Sequence, residues 1–304
     1  MRTRHAHLLF VCLVLPAMMS AQQSPSIPTS VAATASEAQA VAVVQSALSA
    51  LTGGVIVNDV TLIGTAHRIA GSDDETGTAT MRGTALGDSR VDLSLQSGNR
   101  SEVRSHAAVP LPGILPTSVP TALAQTPQSA GAWSGSDGIL HGMAGHNIMT
   151  TAAWFSPTLI LESLSSAQNY VFSYVGQETR NGASVLHLSA SQPFAQLAQS
   201  SLASNSAGPG PAQFQELVRH LSRMDFYIDP NSSLPVELDF NAHPDNNASI
   251  DIATEILFSD YQKTNGVVIP LHVQKYLNNG LVLDLQFTNV TLNTGLSNSV
   301  FALQ

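Results

Sequence analysis

Residues 255–303 read EILFSDYQKTNGVVIPLHVQKYLNNGLVLDLQFTNVTLNTGLSNSVFAL, and their punctuation decides the fold. Three apolar runs, Glu255–Tyr261, Val267–Tyr276 and Leu281–Leu292, are separated by Thr264-Asn265-Gly266 and Asn278-Asn279-Gly280. Asn-Gly between β-rich runs signals a hairpin, because a type I′ turn needs positive φ at both central positions. Turns are therefore expected at Asn265-Gly266 and Asn279-Gly280. In the middle run Val267, Ile269, Leu271 and Val273 share one parity, against Val268, Pro270, His272 and Gln274. The last run repeats this, with Leu281, Leu283, Leu285 and Phe287 against Val282, Asp284, Gln286 and Thr288. A period of two puts one oily face and one wetter face on an antiparallel sheet.

Working outward, Asp225–Ile228 and Val236–Ala242 read as strands around the turn Asp229–Pro235. Tyr170–Tyr174 and Ser184–Ser191 form a hairpin through Arg180-Asn181-Gly182. A first meander occupies Val55–Ala107, turning at Gly71–Glu75 and at Ser97-Gly98-Asn99. Arg100, Glu102 and Arg104 share a parity there and predict a charged, solvated face. Helices are expected over Ser36–Leu51, with Ser36 as N-cap and Gly53-Gly54 as the stop, over Met149–Ser163, and within the insertion Pro193–Arg223, best at Gln213–Leu221. Pro157 predicts a start or a kink in the second of these. Val109–Gly145 carries five prolines among Gly, Ser and Ala without a sustained period. It reads as a loop which, with the helix after it, flanks the open sheet as a lid. The sum is an antiparallel α+β order of about 10–11 strands with covering helices.

The first 21 residues read as an export signal: Arg2 and Arg4, an apolar Leu8–Leu15, and a small-residue exit at Met19-Ser20-Ala21. That apolar stretch is shorter than the roughly 20 residues a membrane span needs. Residues 22–35 read as a disordered leader and residues 36–304 as one domain. Cys12, the sole cysteine, falls inside the signal, so the remaining chain has no thiol or disulfide chemistry, as suits a periplasmic or secreted protein. Removing Arg2 and Arg4 takes the formal charge from −9 to −11, which argues against nucleic acid and anionic membrane surfaces as partners. Charged residues make up only 11% of the chain, so solubility rests on Ser, Thr, Asn and Gln.

Three stretches together carry a resemblance: Ile228-Asp229-Pro230 to Leu234-Pro235, Phe258-Ser259-Asp260-Tyr261 followed by Asn265-Gly266 to Pro270, and Val290-Thr291-Leu292-Asn293. They resemble the periplasmic outer-membrane lipoprotein-sorting carriers and their relatives, over Met224–Leu303. The resemblance implies an unclosed antiparallel half-barrel whose concave apolar face is covered by helices and holds acyl chains. The long Pro-rich segment departs from the shorter carriers of that family. Trp133–Phe155 is in turn similar to segments of other exported bacterial proteins.

Catalytic signatures are missing: there is no Gly-x-Ser-x-Gly elbow, no His-Glu-x-x-His and no Gly-rich phosphate loop. His141 and His146 are five apart with only Asp137 close by, a poor metal set, and His146-Asn147 reads as a packed or helix-capping pair. Asp73, Asp74 and Glu75 lack the spaced oxygens of a calcium loop. No catalytic residue, metal or cofactor is expected. The residues expected to line an apolar site are Trp133, Trp154 and Phe155, with Val267, Ile269, Leu271, Leu281, Leu283, Leu285 and Phe287. Two readings remain open: a binding or carrier protein for an apolar small molecule or acyl chain, and a non-catalytic envelope module whose own helices fill the same face. Alternation alone does not separate them, nor does it say which parity faces inward, since a one-residue slip flips every side chain.

Overall fold

A computed structural model describes residues 35–105, 130–150, 152–167, 170–193 and 211–302; the expected signal, the leader and the Pro-rich core of 109–129 lie outside these. Among the described residues there is one sheet of thirteen strands, every ladder antiparallel. The first half of the chain supplies β1 (Asp59–Ala70), β2 (Asp73–Thr84), β3 (Ser89–Leu95), β4 (Gly98–Ser105), β5 (Ala130–Ser134) and β6 (Leu140–Gly142). The second supplies β7 (Val171–Arg180), β8 (Ala183–Ser191), β9 (Met224–Ile228), β10 (Pro235–Ala242), β11 (Ile252–Thr264), β12 (Val267–Leu277) and β13 (Gly280–Leu292). Their spatial order is β6-β5-β4-β3-β2-β1-β13-β12-β11-β10-β9-β8-β7. Each half is a meander, and the two are joined by the first strand pairing with the last. The sheet does not close: β6 and β7 remain edges, and the result is an antiparallel half-barrel.

The strand count exceeds the expected 10–11 because part of Val109–Gly145 is not a loop. Ala130–Ser134 and Leu140–Gly142 extend the sheet as β5 and β6. Their shortness hides them: five and three residues are too few to display a period among glycines and serines.

Among the described residues three α-helices accompany the sheet: α1 (Ala35–Thr52), α2 (Pro157–Ser166) and α3 (Pro211–Ser222). On α1 the buried positions Ala40, Val44, Ala47 and Leu51 recur every three or four residues, and this stripe packs on β7, β12 and α2. Gly53 and Gly54 end α1 with positive φ, as expected. Ser36 is no cap: it lies within the first turn and its hydroxyl donates to the Tyr174 carbonyl at 2.9 Å. The second helix begins at Pro157 rather than Met149, since proline suits a first helical turn and opposes an interior one. Asn147 does not cap it. It belongs to a 3-10 turn, Gly145–Ile148, and its side chain accepts from the His243 N–H and donates to the His243 carbonyl at 2.7 Å. That exchange straps the β6 end of the sheet to the β10–β11 turn. Among the described residues no helix is long and apolar enough to cross a membrane.

The hairpin at Asn265-Gly266 forms as read, both residues at positive φ. The other shifts by one: Leu277 pairs with Gly280, and Asn278 and Asn279 carry the positive φ. Asparagine tolerates the left-handed region, so Asn-Asn serves where Asn-Gly was expected.

The inward face is read from the rows across the ladders. One runs Leu62 on β1, Met81 on β2 and Val91 on β3, all buried. Another runs Ala66, Leu285, Val273, Phe258 across β1, β13, β12 and β11, again all buried. The parity of Val267, Ile269, Val273, Leu283, Leu285 and Phe287 is thus the core parity. Two bulges interrupt it. Val282 is the extra residue beside Lys275–Tyr276, which takes Leu281 out of the row opposite Tyr276. Thr288 is the extra residue beside Ile63–Gly64, after which Val290 and Leu292 pack on the core.

The join between β1 and β13 is built at three points. At the bulge, a Cβ on Gly64 would lie 2.0 Å from the Gln286 carbonyl oxygen, so only glycine lets the strands approach. Beyond the ladder, Asn293 (φ 56°) accepts from the Asn58 N–H at 2.7 Å and donates to the Ile56 carbonyl at 2.7 Å. Buried Asp59 accepts from the Thr294 N–H and hydroxyl at 2.8 and 2.9 Å and from the Gly295 N–H at 2.8 Å. Burial alone would raise the Asp59 carboxyl, but these donors outweigh it and hold the group below the usual range.

Two outcomes are expected. Gly64→Ala should destabilise by about 3 kcal/mol or more in chemical denaturation, whereas Gly145→Ala, whose Cβ meets open space, should change little; equal effects would refute the close-approach argument. Asp59→Asn should cost about 1–3 kcal/mol at neutral pH. The folded carboxyl titrates below the unfolded one, so its contribution is full above the ordinary carboxyl range and is lost as pH falls through the folded value. Denaturation between pH 7 and pH 3 should therefore show a smaller acid-side loss in the variant than in the parent.

Candidate functional site

At one end of the concave face the inward rows change from apolar to charged. The β1 series Val60, Leu62, Ala66 ends in Arg68, and the β12 series Val267, Ile269, Val273 ends in Lys275. Facing Arg68, β2 carries Glu75; facing Val91 and Leu93 of β3, β4 carries Glu102 and Arg100. A groove of about 550 Å³ opens here. Its floor is Val91, Leu93, Leu283 and Trp154, and its far wall is Trp133 and the Ser134–Asp137 turn with His141. The Trp133 ring stacks on His141 with centroids 4.2 Å apart.

Glu75 organises the charges. It is 7% exposed and accepts from Arg68 at 3.0 Å, from Arg100 at 3.4 Å and from the Ser97 N–H at 2.9 Å. Hydrogen bonds from Ser97, then the attraction of Arg100 and Arg68, hold its carboxyl below the usual range. Glu102 pairs with Arg104 at 3.3 Å. Lys275 makes no hydrogen bond or ion pair among the described residues; its ammonium lies 4.8 Å from the Trp154 ring centroid. Burial lowers the Lys275 ammonium below the ordinary lysine range, the Glu102 charge opposing this and Arg104 adding to it.

The expected lining residues divide. Trp133, 38% exposed, Trp154, 2% exposed, and Leu283 line the groove. Phe155, Val267, Ile269, Leu285 and Phe287 are buried in the core, Leu271 packs against it, and Leu281 stands opposite Tyr276. The groove residues that sequence reading passed over are the charged ones. Arg100, Glu102 and Arg104 do not form a solvated outer ladder; they point into the concavity, because the strand facing them places its apolar parity on that side. A signal was present: Lys275 continues the parity of Val267, Ile269, Leu271 and Val273, and Arg68 that of Val60, Leu62 and Ala66.

Two other polar clusters lie off the groove. On the convex face Arg180 bridges Glu237 and Asp239 and sits over the Tyr227 ring, while His187 bridges Glu178 and Asp225. Burial, then repulsion from Glu237, raises the Asp239 carboxyl against the attraction of Arg180. Near the strap, His220, His243 and Asp251 offer ligand atoms within 4.8 Å of one another, the one candidate metal set among the described residues. Asp251 accepts from His220 at 2.9 Å, and His243 Nδ1 lies 3.0 Å from the Ile250 carbonyl. That contact gives Nδ1 the proton and leaves the buried Nε2 of His243 without a hydrogen-bond partner, while His220 and Asp251 already bond each other. His141 and His146 take different partners, His141 on Trp133 and His146 beside the Pro244 carbonyl.

No family model and no curated relative matches the chain. Solved structures are similar to it. One is a domain from Vibrio parahaemolyticus described as outer membrane lipoprotein-sorting, 9% identical over 87% of this chain and 97% of that one, TM-score 0.46. A DUF1329 family protein from Desulfovibrio piger is 12% identical over 86% and 97%, TM-score 0.49. A LolA superfamily protein from Nitrosomonas europaea is 8% identical over 87% and 97%, TM-score 0.44. At these identities the likeness is one of fold alone.

Proposed function

We propose that this chain is an exported binding or carrier protein, not an enzyme, which holds an apolar, acyl-type ligand in the concave groove. Export rests on the Arg2, Arg4 and Leu8–Leu15 pattern, with residues 36–304 acting as one binding domain. The observation that carries the reading is a groove of about 550 Å³, within the range of small-molecule sites, that the helices leave open over an apolar floor. An acyl chain laid on Val91, Leu93 and Leu283 between two indoles gains roughly 25 cal/mol per Å² buried.

The other reading, an envelope module with a self-filled core, draws on Val267, Ile269, Leu285 and Phe287, which the chain already buries. It assigns the groove no occupant, and this separates the two.

Trp133 and Trp154 are the only tryptophans in the chain, so the groove reports on itself. A brominated long-chain fatty alcohol should quench the fluorescence of the delipidated protein saturably, and mass spectrometry of an organic extract of protein as purified should find an acyl compound. Trp133→Ala should weaken the alcohol about tenfold, or ~1.4 kcal/mol, at a nearly unchanged Tm, since that ring is part-exposed. Absence of saturable quenching would leave the self-filled module.

A further inference from the structure

Three cationic side chains, Arg68, Arg100 and Lys275, line the groove against two carboxylates, Glu102 and Asp137. The carboxylates in and beside it are engaged: Glu75 by Arg68, Arg100 and Ser97, one Asp137 oxygen by the Ile139 N–H at 3.0 Å, and Glu102 by an ion pair with Arg104, although Glu102 Oε1 accepts no hydrogen bond. Three donors on its walls are not taken. Lys275 has no hydrogen bond or ion pair among the described residues, and neither Arg100 Nε nor the indole Nε1 of Trp154, a side chain 98% buried, has a hydrogen-bond partner. Buried donors are ordinarily satisfied, and an orphan costs about 1–3 kcal/mol. The chain is acidic and has only twelve Lys and Arg, yet three of them, Arg68, Arg100 and Lys275, line this one groove.

We propose that the ligand is an acyl amphiphile with an anionic oxygen head, a carboxylate or phosphate, received by Lys275 with Arg100 and the Trp154 N–H beside it. The proposal rests on the acyl-groove reading and specifies its ligand class. An ammonium held against an indole in a half-buried groove is incompletely solvated, so an incoming anion replaces little water and gains a charge-assisted bond. The tail then runs over Leu283 and toward Val91 and Leu93. Glu75 keeps Arg68 and part of Arg100 engaged, which leaves Lys275 as the charge that discriminates.

The test compares three single-chain probes of equal length on the delipidated protein, by quenching of the two tryptophans: a fatty acid, the matching fatty alcohol and a monoacyl glycerol phosphate. The parent should bind at least one anionic probe about tenfold or more tighter than the alcohol. Whichever anionic probe is preferred distinguishes a free acid from a phospholipid head. Lys275→Met, which keeps the apolar stem, should bring the ratio of anion to alcohol affinity near one, and Lys275→Arg should retain the preference. Alcohol bound as tightly as both anions by the parent would overturn the proposal while leaving the acyl groove intact. A preference that survives in Lys275→Met would overturn the assignment of Lys275. Failure of all three probes to bind would overturn the groove reading itself.

Discussion

The pairing of the first strand with the last is the constraint on which the structure depends. Without the β1–β13 ladder there are two meanders of six and seven strands, each with an exposed edge. With it there is one curved sheet in which an inward row runs from Leu95 through Gly77, Ala66, Leu285 and Val273 to Phe258. Closing a contact between residues over 200 positions apart carries a loop-entropy cost that local hairpins do not. The chain concentrates its specific devices there: a glycine where only backbone fits, an asparagine at positive φ bridging both strand ends, and a buried carboxylate collecting backbone N–H groups from the last turn.

The same continuity makes the groove. The inward series of β1, β2 and β12 are apolar along most of their length and end in Arg68, Glu75 and Lys275, so charged ends of strands distant in sequence meet in one place. Glu75 there pairs with one nitrogen of each of two guanidinium groups, which offsets part of the penalty of burying them. No carboxylate comes within ion-pairing distance of Lys275 among the described residues. The asymmetry is local and runs against the net charge of the chain.

The motifs that carry the family resemblance are architectural. Asp229 accepts from the Asn231 N–H at 2.9 Å and the Ser232 hydroxyl at 3.0 Å, fixing the β9–β10 turn. Tyr261 lies opposite Pro270 in the ladder and donates its hydroxyl to the Pro235 carbonyl at 2.5 Å, so three pieces of the motif meet. Asn293 secures the β1–β13 join. None of these residues lines the groove. Residues that hold a half-barrel together and residues that choose its ligand are separate sets, so likeness in the first says little of the second.

The sequence by itself determined the fold class, the antiparallel hairpins, a helix over Ser36–Leu51, and that Val267, Ile269 and Val273 share one face. These follow from local rules: a period of two or of 3.6, and asparagine or glycine where φ must be positive. Tertiary structure decided the rest. It assigned Ala130–Ser134 and Leu140–Gly142 to the sheet, moved a turn to Asn278-Asn279, and through the extra residues Val282 and Thr288 reset which side chains face inward. It also turned Arg100, Glu102 and Arg104 into the concavity. The physical reason is that alternation says only which residues share a face. Which face is buried is settled by the neighbouring strand, and for β4 that strand brings Val91 and Leu93 to the inner side, carrying the charges in with them.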